Sequence, residues 1–409
     1  VEQHCYVNAA ERELLKSRQR PIVLLWRRPE SNIAKAVAPN QKTLGVMLPY
    51  TPLHYLLFHD SKYSTLVMTS GNISEEPIAT DNDAARERLG DLADAFLMHN
   101  RDIHVRCDDS VVRVVPKPSN GNQPAGIVQS PCSHPHPNHL PHLGPLSRPH
   151  PSSHPHPHPH PSPLPGGEGT ASSPVGGGLR WGNERLQSTS LPITNSQPQT
   201  YQLRRSRGYV PYPISLSIET PPLLATGAEL KNTFCLTKGR YAFLSHHIGN
   251  LENYETLRSF EDGIEHFERL FRIQPEVIAC DMHPNYLATR YAVERSRCGH
   301  LPIYHVQHHH AHIAACMAEH GLTDDEAVIG VSFDGTGYGD DGAIWGGEFL
   351  LADYNGYHRC AHLAYTPLPG GDLAIKEPWR MALSWLHTAG IEWAHDLLPV
   401  QQASSAELD

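Results

Sequence analysis

Between about Pro116 and Thr200 the chain leaves little room for regular structure. At the centre of this stretch, in Ser153-His-Pro-His-Pro-His-Pro-His-Pro-Ser162, every second residue lacks an amide donor, so neither a helix nor a strand ladder can run through it. Proline, serine, glycine and histidine dominate, and such a composition buries too little apolar surface to offset chain entropy. A disordered insertion over residues 116–200 is expected, with ordered regions on either side that fold around it. About a third of the 29 histidines lie in it. They read either as a metal-storage tract or as a low-complexity insert with incidental metal affinity.

The flanks read as α/β. A chain of 409 residues is long for one core and suggests about two or three domains. On the N-terminal side, Ile22–Trp26, Leu44–Leu48 and Thr65–Thr69 are apolar runs of strand length beside turn residues, while Pro52–Phe58 and Asp83–Leu89 suit short helices. Residues 1–115 are therefore expected to form one α/β domain. Order returns in residues 201–220, an arginine-rich segment and linker, and a second α/β domain spans 221–409. It opens with two strands, Leu223–Thr237 and Tyr241–Ser245, turning at Lys238-Gly-Arg240. A helix follows with Leu257, Phe260, Ile264, Phe267 and Phe271 at spacings of three and four, a stripe that belongs to the core. Strands at Val277–Asp281, 327–333 and Glu348–Ala352 and a helix from Tyr286 to Ser296 complete the unit.

Charge and cysteine usage narrow the function classes. With 33 Lys+Arg against 43 Asp+Glu, the formal charge of -10 creates no global field for nucleic acid or an anionic membrane, so any phosphate must be met locally. Neither a run of eighteen apolar residues nor a signal-like leader is present, and the eight cysteines include no C-x-x-C pair. Reduced thiols and a cytoplasmic setting are expected. The chain starts at Val1 without a strand or cap of its own and stops at Asp409 without a closing element, so both ends read as cuts through a longer protein.

Two segments carry the chemistry. Val306-Gln-His-His-His-Ala-His312 places His308 and His312 at i and i+4, on one face of a helix, where they can share a metal ion. His309 and His310 point elsewhere and are expected to lie behind the first ligands or at the surface. Val331-Ser-Phe-Asp-Gly-Thr-Gly-Tyr-Gly339 ends an apolar run in an acid and glycines, through which backbone amides can approach an anion. Thr69, Ser70 and Asn72 form a short polar turn with hydroxyl, amide and backbone donors for phosphate, or a plain turn. In the Tyr201–Pro211 segment the arginines, Arg205 and Arg207 among them, either close over a nucleotide phosphate or form a solvated edge. Asp281 and His283 either orient a substrate group or cap the next helix.

Taken together, these strings resemble the HypF family of carbamoyltransferases that mature [NiFe]-hydrogenases. Leu44–Pro49, Met68–Pro77, Asn100–Ile103 and Arg106–Arg113 resemble a YrdC-like domain. Thr226-Gly-Ala-Glu-Leu-Lys-Asn-Thr233, His246–Gly249, Cys280-Asp-Met-His-Pro284, the histidine cluster, Phe333–Gly339, Pro369–Asp372 and Glu377–Arg380 resemble a TsaD-like domain of the actin/Hsp70 (ASKHA) fold. The resemblance implies two partial domains, one YrdC-like and one TsaD-like, around the insertion. It further implies that carbamoyl phosphate and ATP, with Mg2+, form carbamoyl-adenylate, and that the carbamoyl group passes to the C-terminal cysteine of HypE for the iron cyanide ligands.

On the same ground Asp334 is the third ligand beside His308 and His312, and the ion is one divalent transition metal, Zn or Fe. Lys231 grips phosphate, with Arg380 and the Gly370-Gly371 turn in the same pocket, and Gly335 and Gly337 meet the nucleotide. The family's zinc-finger and acylphosphatase-like modules, the first YrdC strands and a distal acid are expected outside this chain, and Asn250 stands where the family has Asp. A chain so cut is expected to be inactive by itself. Two other readings are a tRNA threonylcarbamoylation-type enzyme, which uses the same two folds, and an inactive His-rich metal-binding protein. The acidic balance speaks against tRNA and against nucleic acid or membrane partners generally.

Overall fold

The structure, a computed structural model, describes residues 1–59, 61–73, 76–115, 199–323 and 326–408. The expected disordered insertion lies outside the described residues. The first lobe consists of α1 (Ala9–Lys16), β1 (Ile22–Trp26), β2 (Thr43–Val46), α2 (Pro52–His59), α3 (Asn82–Leu89), β3 (Val111–Val115) and β4 (Gln199–Arg204). Its sheet runs β2-β1-β3-β4, with β1 antiparallel to β2 and parallel to β3, and β4 antiparallel to β3. The alternate residues Val23, Leu25, Leu44 and Val112 point inward and pack with Cys5 and Leu15. β4 comes from the far side of the insertion, so the start of the arginine segment forms an edge of this sheet, and residues 205–213 lead on from it to the next strand.

Two expectations fail in this lobe. The chain does open with a capped element: Asn8 and Glu11 form a reciprocal capping box on α1, through the Asn8 amide to Glu11 Oε2 at 2.8 Å and the Glu11 amide to Asn8 Oδ1 at 2.9 Å. The apolar run Thr65–Thr69 is not a strand, and Val67 is 72% exposed. Among the described residues, 65–69 pair with no strand of the β2-β1-β3-β4 sheet.

The second lobe contains β5 (Ile214–Ala225), β6 (Cys235–Leu244), α4 (Tyr254–Phe271), β7 (Val277–Asp281), α5 (Leu287–Gly299), β8 (Ile303–Val306) and α6 (His308–Glu319). After these come β9 (Val328–Tyr338), β10 (Ile344–Ala352), β11 (Tyr357–His362), α7 (Leu373–Lys376), α8 (Pro378–Thr388), α9 (Leu398–Gln402) and α10 (Ser405–Leu408). One sheet runs β6-β5-β7-β8, with β5, β7 and β8 mutually parallel; a second, antiparallel sheet runs β11-β10-β9. β5 starts well before residue 221. It tolerates Pro221 and Pro222 because the β5–β6 register breaks between Thr220 and Leu223.

The hairpin turn also moves. Ala225 pairs with Cys235, so the β5–β6 connection is the 226–234 loop, and Lys238-Gly-Arg240 lies inside β6, where Gly239 (φ +60°) faces Thr220 at a register shift. The stripe on α4 packs as expected: Phe260, Ile264 and Phe267 are buried with Leu224, Phe234 and Leu236, while Leu257 and Phe271 flank them. Across the antiparallel sheet, α6 sets Ile313 and Met317 against Trp345, Leu350 and Ala352. A Cβ on Gly330 would lie 2.2 Å from Ile313, so glycine there lets α6 lie directly on β9. Among the described residues no helix is long and apolar enough to cross a membrane, and the described cysteines are free thiols.

Candidate metal centre

The parallel pair β7–β8 positions the first two groups. Asp281, the last residue of β7, pairs with Val306, the last of β8, so both strands end at one carboxyl edge, where open α/β sheets collect ligands. Gln307 then caps α6 by accepting the His310 amide at 2.9 Å, and His308 begins the helix beside Asp281. Asp334, on β9, reaches the same point from the second sheet. Its Oδ2 lies 2.8 Å from His308 Nε2 and 3.3 Å from His312 Nε2, and the two Nε2 atoms are 3.2 Å apart. The structure thus brings together the expected trio.

Those separations bear on the metal. Tetrahedral zinc with bonds of about 2.0 Å has ligand–ligand edges of about 3.3 Å, so the three donors already stand close to such a polyhedron. Two imidazoles and a carboxylate are also a donor set for Zn or Fe(II). The hydrogen bonds to Asp281 and to Asp334 raise the His308 pKa to about 9, and His308 in turn holds the Asp334 carboxyl well below the usual range. A proton between Nε2 and Oδ2 supplies the positive charge that a divalent ion would supply there.

β9 continues through the glycines after Asp334, with Gly337 paired to Trp345 and Tyr338 to Ile344. A Cβ at Gly337 would lie 2.4 Å from His309 Cε1 and 3.3 Å from His308 Cβ; the missing side chain lets the histidine helix approach. Gly335 has open space around it, and its amide donates to Asp334 Oδ1 at 2.8 Å. His309 is fully buried, not a surface residue, and burial lowers its pKa. His310 Nε2 contacts the Asp353 carbonyl at 2.7 Å.

Asp281 and His283 do not cap α5. Asp281 Oδ1 accepts the His283 amide at 2.8 Å while Oδ2 meets His308 Nδ1 at 2.8 Å. The first turn of α5 is instead met by Glu229, whose Oε2 accepts the Leu287 amide at 2.8 Å, a role that sequence reading missed because the two are joined only through the fold. His283 stacks on Tyr286 with centroids 4.0 Å apart, and Tyr338 meets it edge-on. Burial, then the negative charge of Asp281, Glu229, Asp334 and Asp372, pushes the Tyr286 hydroxyl up to about 12. A groove of about 810 Å³ opens beside Asp334, bordered by Leu363, Tyr365 and Trp385.

The remaining expected residues are scattered. Lys231 (φ +51°) is exposed, and its amide donates to Asn250 Oδ1 at 3.0 Å. Arg380 is paired with Glu377 and Glu407 and lies over Trp379; it neighbours Gly370, but among the described residues no hydrogen bond or ion pair links it to Lys231 or His308. In the first lobe Thr69 and Ser70 are exposed, and Asn72 bonds within its own turn, leaving Oδ1 buried without a partner. Arg205 donates to the carbonyls of Tyr209 and Tyr212, and burial lowers its pKa. Arg207 pairs with Asp109, donates to the Gln19 and Arg20 carbonyls at 3.0 and 2.8 Å, and covers the Tyr50 ring at 3.4 Å. Both arginines are half-buried and donate to protein oxygens in this structure.

Comparison with known proteins decides the family. Residues 219–319 match the HypF Kae1-like domain, residues 330–408 match the second subdomain of the Kae1-like domain of carbamoyltransferases, and residues 1–122 match the Sua5/YciO/YrdC family, described as telomere recombination. The chain belongs to the HypF family. It is 39% identical over 398 residues to carbamoyltransferase HypF2 of Cupriavidus necator, covering 94% of this chain and 39% of the relative. The probable carbamoyltransferase HypF of Methanocaldococcus jannaschii is 34% identical over 392 residues, covering 95% and 40%. A crystal structure of full-length HypF in the phosphate- and nucleotide-bound form superposes with a TM-score of 0.71 at 40% identity, over all of this chain and 50% of that one. The chain spans about 40% of the length of these curated HypF relatives. Its lobes are accordingly YrdC-like and Kae1-like, as the motifs imply.

Proposed function

We propose that this chain carries two reaction chambers of a HypF carbamoyltransferase. The YrdC-like lobe forms carbamoyl-adenylate from carbamoyl phosphate and ATP with Mg2+, and the Kae1-like lobe passes the carbamoyl group to the C-terminal cysteine of HypE. The convergence of His308, His312 and Asp334 within hydrogen-bonding distance of one another carries this reading. These residues would hold one Zn or Fe ion, which when bound supplies Lewis acidity toward a carbonyl or phosphate oxygen. Asp281 fixes the His308 ring from behind, and the exposed Lys231 ammonium offers positive charge for phosphate oxygens. Thr69, Ser70 and Asn72 offer hydroxyl and amide donors to the nucleotide. Water must be kept from the adenylate in both chambers, since it hydrolyses readily. The free cysteines fit a reducing, cytoplasmic setting.

The test places His308→Ala and His312→Ala, singly and together, in the complete reading frame. Carbamoyl transfer to HypE should disappear, while ATP consumption with carbamoyl phosphate stays within about twofold, because the substitutions touch one chamber. Transfer that survives the double substitution removes the metal site from the reaction.

A further inference from the structure

Two neighbouring histidines on α6 are set in opposite proton arrangements by two different side chains. His309 Nδ1 lies 3.1 Å from Gln307 Nε2. The Gln307 amide cannot turn round, because its oxygen accepts the His310 amide and its nitrogen also reaches the Tyr338 carbonyl. An amide N–H therefore faces His309 Nδ1, which must accept, and the ring proton stays on Nε2, buried without a partner. His308 meets the reverse situation. Its Nδ1 faces Asp281 Oδ2, an acceptor only, so Nδ1 must donate in the charged and the neutral ring alike; when the ring gives up the Nε2 proton it shares with Asp334, the lone pair is left on Nε2, toward Asp334 and His312.

We propose that Asp281 is a positioning residue: by accepting from His308 Nδ1 it fixes the tautomer in which Nε2 can bind the ion. Asp281 meets the ring on the side away from Nε2 and so cannot share that ion. Its place is rigid. The residue ends β7 in register with Val306, the side chain is 6% exposed, and Oδ1 is held by the His283 backbone amide. That last bond makes the inference sharp. In Asp281→Asn the amide oxygen must remain on the His283 N–H, a donor that cannot reverse, so the new NH2 group faces His308 Nδ1. His308 would then be driven into the arrangement that Gln307 imposes on His309, with a proton on Nε2 where the metal should bind. A nearly isosteric change would weaken ligation through the tautomer alone.

The inference rests on the metal reading above, and the experiment separates the two. Zinc affinity is measured by chelator competition for the unmodified chain, D281N, H308A and D281N/H308A, with the cobalt(II) visible spectrum as a second readout and the metal-free melting temperature as a control. D281N should bind zinc about 10- to 100-fold more weakly, the usual range for removing a group that orients a metal-bound histidine. In the H308A background it should have no further effect, because the orienting group has lost what it orients. A chain that does not bind zinc at all overturns the metal reading and this inference with it. Tight binding by the unmodified chain with equal binding by D281N, or effects that add in the double variant, overturns this inference alone. Should D281N fail to fold, Asp281→Ala takes its place in the cycle, and undiminished zinc binding or additive effects again overturn the inference.

Discussion

The Kae1-like lobe assembles its candidate site from the ends of regular elements, whereas the YrdC-like lobe spreads the corresponding residues over turns and a sheet edge. In the former, Asp281 closes a parallel strand, His308 and His312 sit one helical turn apart, and Asp334 projects from β9, so strand register and helical period each restrict where a donor can stand. In the latter, Thr69 and Ser70 lie exposed on a turn that no ladder fixes, while Arg205 and Arg207 spend their donors on backbone carbonyls. Residue types suited to phosphate are thus informative only where the backbone holds them facing outward.

The contrast is tested most severely at Gly337. If the close approach of α6 to β9 builds the metal centre, Gly337→Ala drives a Cβ into the buried His309 ring and should lower stability by about 3 kcal/mol. Urea denaturation of the metal-free protein measures it. Gly335→Ala, which meets open space, should stay within about 0.5 kcal/mol. Equal effects at the two glycines would show that the helix and strand are not held in close contact.

A smaller effect is expected in the first lobe from Arg207→Ala. Losing the Asp109 pair, two carbonyl hydrogen bonds and the Tyr50 contact should cost about 2 kcal/mol. Lysine should not restore it, because a point ammonium cannot reproduce the fork. ATP affinity, measured well below the melting temperature, should stay within about twofold if the side chain only ties the sheet to its flank. A selective fall in ATP affinity with unchanged stability would instead return Arg207 to the nucleotide and narrow the difference between the lobes.

Much of the second lobe was legible in the sequence for physical reasons. The α4 stripe follows the helical period, and the i,i+4 pair His308/His312 needs only a helix to become a metal face. Asp334 was placed by family resemblance, since nothing local says that β9 runs against α6. What escaped depended on partners distant in sequence. β8 is four residues long and is recognisable only through its parallel pairing to β7; β11 is a polar edge strand. Pro221 and Pro222 disguised β5 as a linker, and Gly239 looked like a turn when it is an irregularity inside β6. The capping box at Asn8 and Glu11 was visible but lay in a segment read as a cut end. Asp281 was singled out, yet choosing between a cap and an orienting group required the register that sets it beside His308.

The smallest stability effect, and the one most informative about the YrdC-like lobe, is expected from Ser70→Ala. Ser70 is exposed, so its removal should change stability by less than about 0.5 kcal/mol. If the Thr69–Asn72 turn meets the nucleotide, loss of one neutral hydrogen bond worth about 1 kcal/mol should weaken ATP binding about fivefold. Calorimetric titration of ATP into the unmodified chain, Ser70→Ala and Thr69→Ala/Ser70→Ala decides the matter. Binding that weakens stepwise at constant stability would make the exposed turn a site in its own right, built for a ligand and not for the fold. Identical binding by all three would leave the YrdC-like lobe without an assigned phosphate contact, and the difference between the two lobes would then be one of chemistry as well as of construction.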